Sequence, residues 1–409
     1  MNRHLVIKMK SIYFLLLVIS ITAVFGANYW FSNLYSNDFM VMSSLGISII
    51  IFIASGCRIS SSKYKTPITL SLFMWLSGVL VALGYGLPVS VILKESSYTI
   101  APIFIYLAFH PLIKNRNDVL ELTHILSISG LICNIVAIIE MFFALRGIDI
   151  LRMNVFERMR NGTPRFIIGE TIITISFFLS CSILLDRQIP KSRKRLHIIN
   201  IVLTSLNLFW IIKTRSLSLY MLATVLMVPV INKRTKRRIR IFFGVLVIAI
   251  LIYILVSDFV PTANSIIGSD YGIQMRFAMI SYYWQYFKDH WLFGAGYISA
   301  NPYYSTYSII SGPNGRFYTS DVGVIGLMFR NGVIGLAWLI TWFGSNLKII
   351  KENSQKVPFY FDMWLKLMIL FWLFSCINLI LTDTPRFPYI ALGMLIVESS
   401  YLLKKNDTY

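Results

Sequence analysis

The sequence is poor in charged residues. Asp, Glu, Lys and Arg together make up 14% of the 409 residues, whereas a soluble domain carries roughly a quarter. Hydrophobic residues make up 56% of the chain, and many separate apolar stretches approach the ~20 residues that a helix needs to cross a bilayer. This shortage of charge excludes an ordinary soluble domain, and it predicts an all-α polytopic membrane protein.

Cysteine is scarce as well, and the chain holds only four. They lie in or beside apolar stretches, and none is paired at metal-ligand spacing, so we predict small core residues and no disulfide framework. We predict no metal site and no cofactor. The chain also lacks an internal repeat and a low-complexity stretch.

Acidic residues are few, and the net charge is therefore +20. A soluble protein of this charge would suggest nucleic acid, but an RNA-binding aromatic motif and a long basic arm are missing. Basic residues instead collect in loops that we predict to be cytoplasmic, which hold 24 of the 38 lysines and arginines. The runs at 191–195 and 232–238 contribute most of this bias, and we predict that they are topology anchors and that no nucleic acid binds.

The apolar stretches predict about twelve spans with both termini cytoplasmic. The N-terminal stretch resembles a signal peptide, but the chain stays hydrophobic after it, so we predict an uncleaved first span. The predicted spans lie near 11–31, 39–57, 67–87, 98–113, 119–145, 166–186, 197–212, 216–231, 241–260, 322–344, 360–381 and 387–403. This divides the chain into spans one to nine (1–260), a long periplasmic loop (261–320) and spans ten to twelve (321–409).

The long loop predicts a small structure of its own, because loops of this length are usually functional or disordered. Segment 272–291 mixes aromatic and charged residues at helical spacing, and this pattern predicts an amphipathic helix at the membrane surface. The glycines of Phe-Gly-Ala-Gly at 293–296 predict a sharp turn.

Arginines on the predicted outer side oppose the topology rule. The short outer loop 146–165 holds five arginines, among them Arg160 and Arg165, and Arg215 stands between two short spans. These residues pair with acidic headgroups or acids nearby, or they bind an anionic ligand, for which the planar guanidinium fork is suited. The charges around Arg215 equally fit a tight turn whose side chains reach water.

Arg330 and Asn331 fall inside a predicted span and allow two interpretations. If 322–344 is one straight helix, Arg330 lies near mid-membrane and needs a partner. Alternatively, the true span is about 333–350, and 321–331 is a short helix within an outer cavity. The first interpretation makes Arg330 a ligand or ion-pair residue, and the second places it at a helix junction.

Together these motifs resemble those of the polymerase and ligase superfamily of bacterial surface polysaccharides, which includes O-antigen polymerases (Wzy) and O-antigen ligases (WaaL). The resemblance is carried by short motifs along most of the chain. They are Arg276-x7-Trp284, His290-Trp-Leu-Phe-Gly-Ala-Gly296, Thr319-Ser-Asp-Val-Gly-Val-Ile-Gly326, Arg-Asn-Gly-Val-Ile-Gly335, Arg160-Asn-Gly-Thr-Pro-Arg165 and Thr214-Arg215-Ser216.

The chain departs from the ligase pattern at Asp321. Ligases typically carry a histidine there or close by, which is thought to activate the acceptor. Of the five histidines, only His290 is predicted on the outer side. The departure favours a polymerase over a ligase, and a lipid-linked oligosaccharide flippase is a further alternative because it too would have twelve spans.

The resemblance implies an oligosaccharide on undecaprenyl diphosphate as substrate, in the bacterial inner membrane with the active site facing the periplasm. It implies metal-independent glycosyl transfer, with membrane lipids, a chain-length regulator and a flippase as expected partners. We expect Asp321 to be the acceptor base and Arg276 to stabilise the diphosphate. The further candidates are Arg165, Arg215, Arg160 and Arg316 for the diphosphate, and Asp270, Asp289, His290 and Arg330 as secondary residues.

Overall fold

A computed structural model of the chain gives the fold. It describes residues 3–22, 36–56, 62–151, 159–160, 163–164, 168–212, 215–232, 235–259, 271–377, 379–383 and 386–403.

The described part of the chain is predominantly helical. The helices before the long loop are α1 Arg3–Ser20, α2 Ser36–Ala54, α3 Lys65–Gly84, α4 Val89–Phe109, α5 Arg116–Ala144, α6 Glu170–Leu185, α7 Lys191–Leu206, α8 Arg215–Leu226, α9 Val228–Ile231 and α10 Arg237–Phe259. Those that follow are α11 Tyr271–Asp289, α12 Tyr307–Ser311, α13 Gly323–Asn353, α14 Phe359–Ser375 and α15 Phe387–Ser399. Short 3₁₀ turns cover His110–Leu112, Thr319–Asp321 and Ser400–Leu403, and a π-helical stretch, Asn207–Ile212, extends α7.

Strand structure is confined, among the described residues, to one minimal hairpin in the arginine-rich loop. β1 (Met159–Arg160) pairs antiparallel with β2 (Thr163–Pro164), with Met159 opposite Pro164. The hairpin places Arg160 opposite Thr163, within the predicted 160–165 motif.

Among the described residues, four helices are long and apolar enough to cross a bilayer, as expected for a membrane protein. They are Lys65–Gly84, Val89–Leu112, Arg116–Ala144 and Gly323–Asn353, and shorter apolar helices accompany them. Each of the twelve predicted spans overlaps a helix of the described part. The count of twelve crossings and the orientation of the termini remain predictions.

The predicted outer loop is folded against the ends of α3 and α4. Its buried side chains, among them Met279, Tyr283 and Ile310, form a second core with Ala82 of α3 and Ile92 of α4. The helix predicted at 272–291 is confirmed as α11, and its position at the membrane surface remains a prediction. We call the end of the bundle that carries this second core the loop end.

The helix that re-enters the bundle after the loop is broken. Gly332 within α13 has φ 61° and ψ −154°, a conformation that is essentially restricted to glycine. In an unbroken helix the Val333 amide would donate to the Phe329 carbonyl. Instead it donates to the Trp291 carbonyl over 2.8 Å, so the break leaves helix carbonyls without their usual donors.

The turn of the Phe-Gly-Ala-Gly motif supplies the missing donors. The Ala295 amide donates to the Phe329 carbonyl over 2.7 Å, and the Gly296 amide donates to the Arg330 carbonyl over 2.8 Å. The turn predicted from these glycines is confirmed, because Gly294 and Gly296 both have positive φ. The turn and the break therefore satisfy each other's backbone groups.

The break corrects the first interpretation of Arg330. A single straight helix over 322–344 is wrong, because the helix changes direction at Gly332. Arg330 lies in the last turn of the short segment before the break, as the second interpretation expected. Its backbone carbonyl is held by the turn, and its side chain is half-buried.

We expect Gly332→Ala to destabilise the protein by at least about 2 kcal/mol, because a side chain is strained at this φ and ψ. A Cβ at this position would also lie 2.2 Å from the Leu292 carbonyl oxygen. Thermal unfolding of the purified protein in detergent measures the change. Gly344→Ala in the same helix is the matched control, since nothing lies within 4 Å of its Cβ position. Equal Tm values for the two variants would contradict the role of the break.

Candidate active site

Asp321 ends the 3₁₀ turn Thr319–Asp321, immediately before α13. The first turn of α13 is docked on the end of α14, because the Val324 amide donates to the Cys376 carbonyl over 3.0 Å. Gly323 makes this approach possible, since a Cβ there would lie 2.2 Å from the same carbonyl oxygen. The half-buried Asp321 is therefore positioned by backbone contacts on its C-terminal side.

Arg330 lies close to the turn that carries Asp321. Its Nε donates to the Thr319 hydroxyl over 3.1 Å, and Thr319 is buried. Arg330 lies two turns into α13, and its guanidinium contacts Thr319, which is two residues before Asp321. The Thr319 hydroxyl is neutral, so this hydrogen bond does not compensate the positive charge of Arg330, which can still interact with nearby anions.

Tyr283 lies in the electrostatic surroundings of Arg330 and Asp321, and its burial excludes it as an acid or base. Its hydroxyl donates to the Ile310 carbonyl over 2.6 Å, and its side chain is fully buried. Burial raises the pKa of Tyr283, Arg330 lowers it by less, and Asp321 adds a small upward contribution. Tyr283 therefore stays protonated, and its contribution is to pack on Phe329 with ring centroids 4.4 Å apart.

α11 brings Arg276 to the same region. Arg276, Met279 and Tyr283 lie at positions i, i+3 and i+7, so they share one face of the helix. That face packs inward, because Met279 is buried and its sulfur accepts the Tyr318 amide over 3.2 Å. Arg276, which is half-buried, therefore lies three residues before Met279, about 4.5 Å along the helix axis. Met279 in turn contacts Tyr318, which lies three residues before Asp321.

A second cationic group lies at the start of α15. Arg386 places Nε 3.6 Å from a Glu170 carboxylate oxygen and Nη1 3.2 Å from an Asp383 carboxylate oxygen. Glu170 is the first residue of α6, and Asp383 accepts the amides of Arg386 and Phe387 at its carbonyl. This ion cluster joins the ends of α6 and α15.

Asp321 belongs to the electrostatic surroundings of Arg386. Burial lowers the pKa of Arg386, but Glu170, Asp383, Tyr389 and Asp321 raise it, and the net direction is upward. Two carboxylates, those of Glu170 and Asp383, therefore pair with one buried guanidinium, and Asp321 acts on it only through its charge. Because this cation is already compensated by acids of the chain, we assign it to holding the loop end together and not to binding a diphosphate.

The structure gathers part of the predicted site. Asp321, Arg276 and Arg330 lie in one region, and Arg316 is exposed three residues before Thr319. Asp289 and His290 are exposed at the far end of α11, about 20 Å of helix from Arg276. The His290 ring stacks on Tyr286 with centroids 4.2 Å apart.

The remaining predicted residues are described in part or not at all. Arg160 is placed only by the backbone of β1, and Arg215 only as the first residue of α8. Arg165 and Asp270 lie outside the described residues. Their assignment to the diphosphate or to acceptor activation remains a prediction.

Sequence reasoning missed the three residues of the ion cluster. Arg386, Glu170 and Asp383 are assigned no role by the sequence motifs. The available signal was an arginine between two prolines, Pro385 and Pro388, after an aspartate. A charged loop this short at a helix start is typical of a fixed ion pair.

The aromatic residues of the loop separate into structural and exposed groups. Tyr282 donates to the Ile309 carbonyl over 3.1 Å, and Tyr283 is fully buried, so both support the loop. Tyr303 and Tyr318 are exposed by 85% and 63%. The exposed rings are the ones that remain available to a sugar or to the interface.

Comparison with known proteins bears on the same region. Residues 193–340 match the family model Wzy_C, which is described as O-antigen ligase. This part of the chain is similar to that family, and the match spans about a third of the 409 residues. The predicted resemblance to the polymerase and ligase superfamily is therefore confirmed.

The O-antigen ligase family segment includes Arg215, Arg276, Asp321 and Arg330 and ends within α13. Membrane glycosyltransferase-like enzymes make up this family, and the family implies lipid-linked polysaccharide substrates. The match applies to polymerases and ligases alike. No curated protein matches the chain.

We expect Arg386→Ala to destabilise the protein by about 3 kcal/mol, because it leaves two acids of a buried ion cluster without their cation. Glu170→Gln, which keeps the shape and a hydrogen-bonding group, should cost less. Thermal unfolding in detergent compares them. An Arg386→Ala variant as stable as the wild type would show that the cluster does not hold α6 to α15.

Proposed function

We propose that the chain is an O-antigen, or related surface polysaccharide, repeat-unit polymerase. It would transfer the growing glycan from undecaprenyl diphosphate to the sugar end of a new lipid-linked repeat unit. The reaction would take place at the periplasmic face of the bacterial inner membrane, which is the loop end in the predicted orientation.

The observation that supports this proposal best is the combination at the start of α13. A half-buried carboxylate, Asp321, is fixed by backbone contacts while Arg330 reaches the neighbouring Thr319. The Arg276 helix packs beside this turn. A general base and cations for a leaving group are the two requirements of glycosyl transfer from a lipid diphosphate.

In this proposal the acceptor hydroxyl attacks the anomeric carbon of the donor glycan. The bond between that carbon and the diphosphate oxygen breaks, and undecaprenyl diphosphate leaves with the electron pair. Asp321 takes the proton of the attacking hydroxyl. A single displacement of this kind inverts the anomeric centre.

The arginines supply the charge that the leaving diphosphate needs, so the proposed reaction is metal-independent. Guanidinium groups held in place before the reaction stabilise developing negative charge without reorganising, and their planar fork fits phosphate oxygens. Arg276 is our principal candidate, with Arg165, Arg215, Arg160 and Arg316 as further ligands. Arg386 is left out because acids of the chain already surround it.

An O-antigen ligase, which moves the finished polymer to lipid A-core, is the second candidate. The description of the matched family favours it. The aspartate at position 321, where ligases typically carry a histidine, favours the polymerase. A chain-length regulator and a flippase are proposed partners of the polymerase.

We expect Asp321→Asn to lower chain elongation by about 10²- to 10⁴-fold, because the amide cannot accept the acceptor proton. Arg276→Ala should lower it by about 10²- to 10³-fold, and Arg276→Lys by less, since lysine keeps the charge but loses the fork. The measurement is elongation of synthetic lipid-linked repeat units by purified protein without an energy source.

Two controls accompany this assay. Lys288→Ala removes an exposed cation at the far end of α11, and Glu352→Gln removes an exposed carboxylate whose partner is Lys63. Both should retain full activity. Full activity of Asp321→Asn and Arg276→Ala, at wild-type Tm, would show that the site is misplaced. Failure of the folded wild type to elongate chains would count against the polymerase and leave the ligase or a flippase.

Deletion of the gene separates polymerase from ligase. We expect the deletion strain to carry lipid A-core bearing a single repeat unit, because ligation continues when polymerisation stops. Lipopolysaccharide gels display the difference directly. Bare core together with accumulated lipid-linked chains would show that the protein is the ligase.

A further inference from the structure

A cavity of about 940 Å³ opens at the end of the bundle opposite Asp321. It lies where the start of α5, the end of α6 and the start of α7 meet, and α14 closes it on one side. The candidate active site lies near the other end of α6, where Glu170 pairs with Arg386 in the surroundings of Asp321, so the two sites are at opposite ends of this helix. Nothing in the proposed reaction uses this cavity.

The polar lining of the cavity is cationic in balance. Arg116, Arg193, His124 and His197 line it, against one acid, Asp186. The Asp186 carboxylate already accepts the backbone amides of Gln188 and Tyr360 over 2.9 Å and 3.3 Å. The two guanidinium groups therefore outnumber the only acid among the described residues that line the cavity.

A buried hydroxyl without a partner points into the same space. Ser127 is 3% exposed and lines the cavity. Its Oγ has no hydrogen-bond partner among the described residues, and a buried polar group in this state is costly unless something else binds it. A ligand with acceptor oxygens, held by arginines and a hydroxyl, fits these donors.

The remaining walls of the cavity are apolar, and an apolar surface continues from it. Leucine and isoleucine side chains of α5, α6 and α7 line the interior. Beyond Arg193, α7 exposes Ile198, Ile199, Val202 and Leu206, each by roughly half of its surface. This stripe rises about 12 Å along the helix, so a headgroup in the cavity could extend its acyl chain along α7.

We propose that this cavity binds the phosphate headgroup of an acidic phospholipid, with the acyl chains on the exposed face of α7. A basic pocket between membrane helices recognises such headgroups by charge and by hydrogen bonds to phosphate oxygens. The basic run 191–195 then has a role beyond orienting the chain. If the run only oriented the chain in the membrane, all of its basic residues would contribute equally. Arg193 lines the cavity, whereas Arg195 does not.

The test titrates full-length protein in detergent with phosphatidylglycerol and with phosphatidylcholine of the same acyl chains. Native mass spectrometry counts the bound lipid. We expect tighter binding of phosphatidylglycerol, and about a fivefold loss for Arg193→Ala and for Arg116→Ala. Arg195→Ala is the matched control from the same exposed run, and it should change binding less than about twofold.

Three outcomes would overturn the proposal. Equal binding of the two lipids would show that the protein does not recognise the headgroup. If Arg193→Ala and Arg195→Ala changed phosphatidylglycerol binding equally, the basic run 191–195 would be a topology anchor only. Displacement of phosphatidylglycerol by excess inorganic phosphate would make a soluble anion the occupant. Because each readout is lipid binding, the result does not depend on the proposed polymerase activity.

Discussion

The loop end of this protein depends on one backbone exchange, between the break in α13 and the turn that follows α11. A helix interrupted inside a membrane protein exposes carbonyl and amide groups that the bilayer cannot satisfy. Here the freed carbonyls of Phe329 and Arg330 accept amides of the turn, and the Val333 amide finds the Trp291 carbonyl. Because glycines at 294 and 332 allow this approach, backbone hydrogen bonds fix the long loop to the bundle.

That exchange decides where the charged side chains lie. The short segment before Gly332 holds Arg330 beside Thr319, and its first turn docks on the end of α14 and fixes Asp321. α11 enters the same arrangement through Tyr283, which packs on Phe329. The proposed base and cations are therefore positioned by backbone contacts and aromatic packing, which do not require the charges to bind one another.

The two arginines near Asp321 differ in their surroundings, and the difference separates structure from chemistry. Arg386 pairs with Glu170 and Asp383, so its charge is compensated within the chain. Arg330 donates to a neutral hydroxyl. Identical guanidinium groups thus have different partners, acids at Arg386 and a hydroxyl at Arg330, and the sequence does not distinguish them.

The sequence by itself determined the membrane class, the positions of the helices and the family resemblance, because hydrophobic length, charge bias and short motifs are local properties. It also predicted the turn at 293–296 and the helix at 272–291. Only the tertiary structure decided that α13 is broken, that Tyr283 is buried support, and that Arg386 joins Glu170. These depend on contacts between segments far apart in the chain: the partner of Gly332 lies 40 residues before it, at Leu292, and Glu170 lies 216 residues before Arg386.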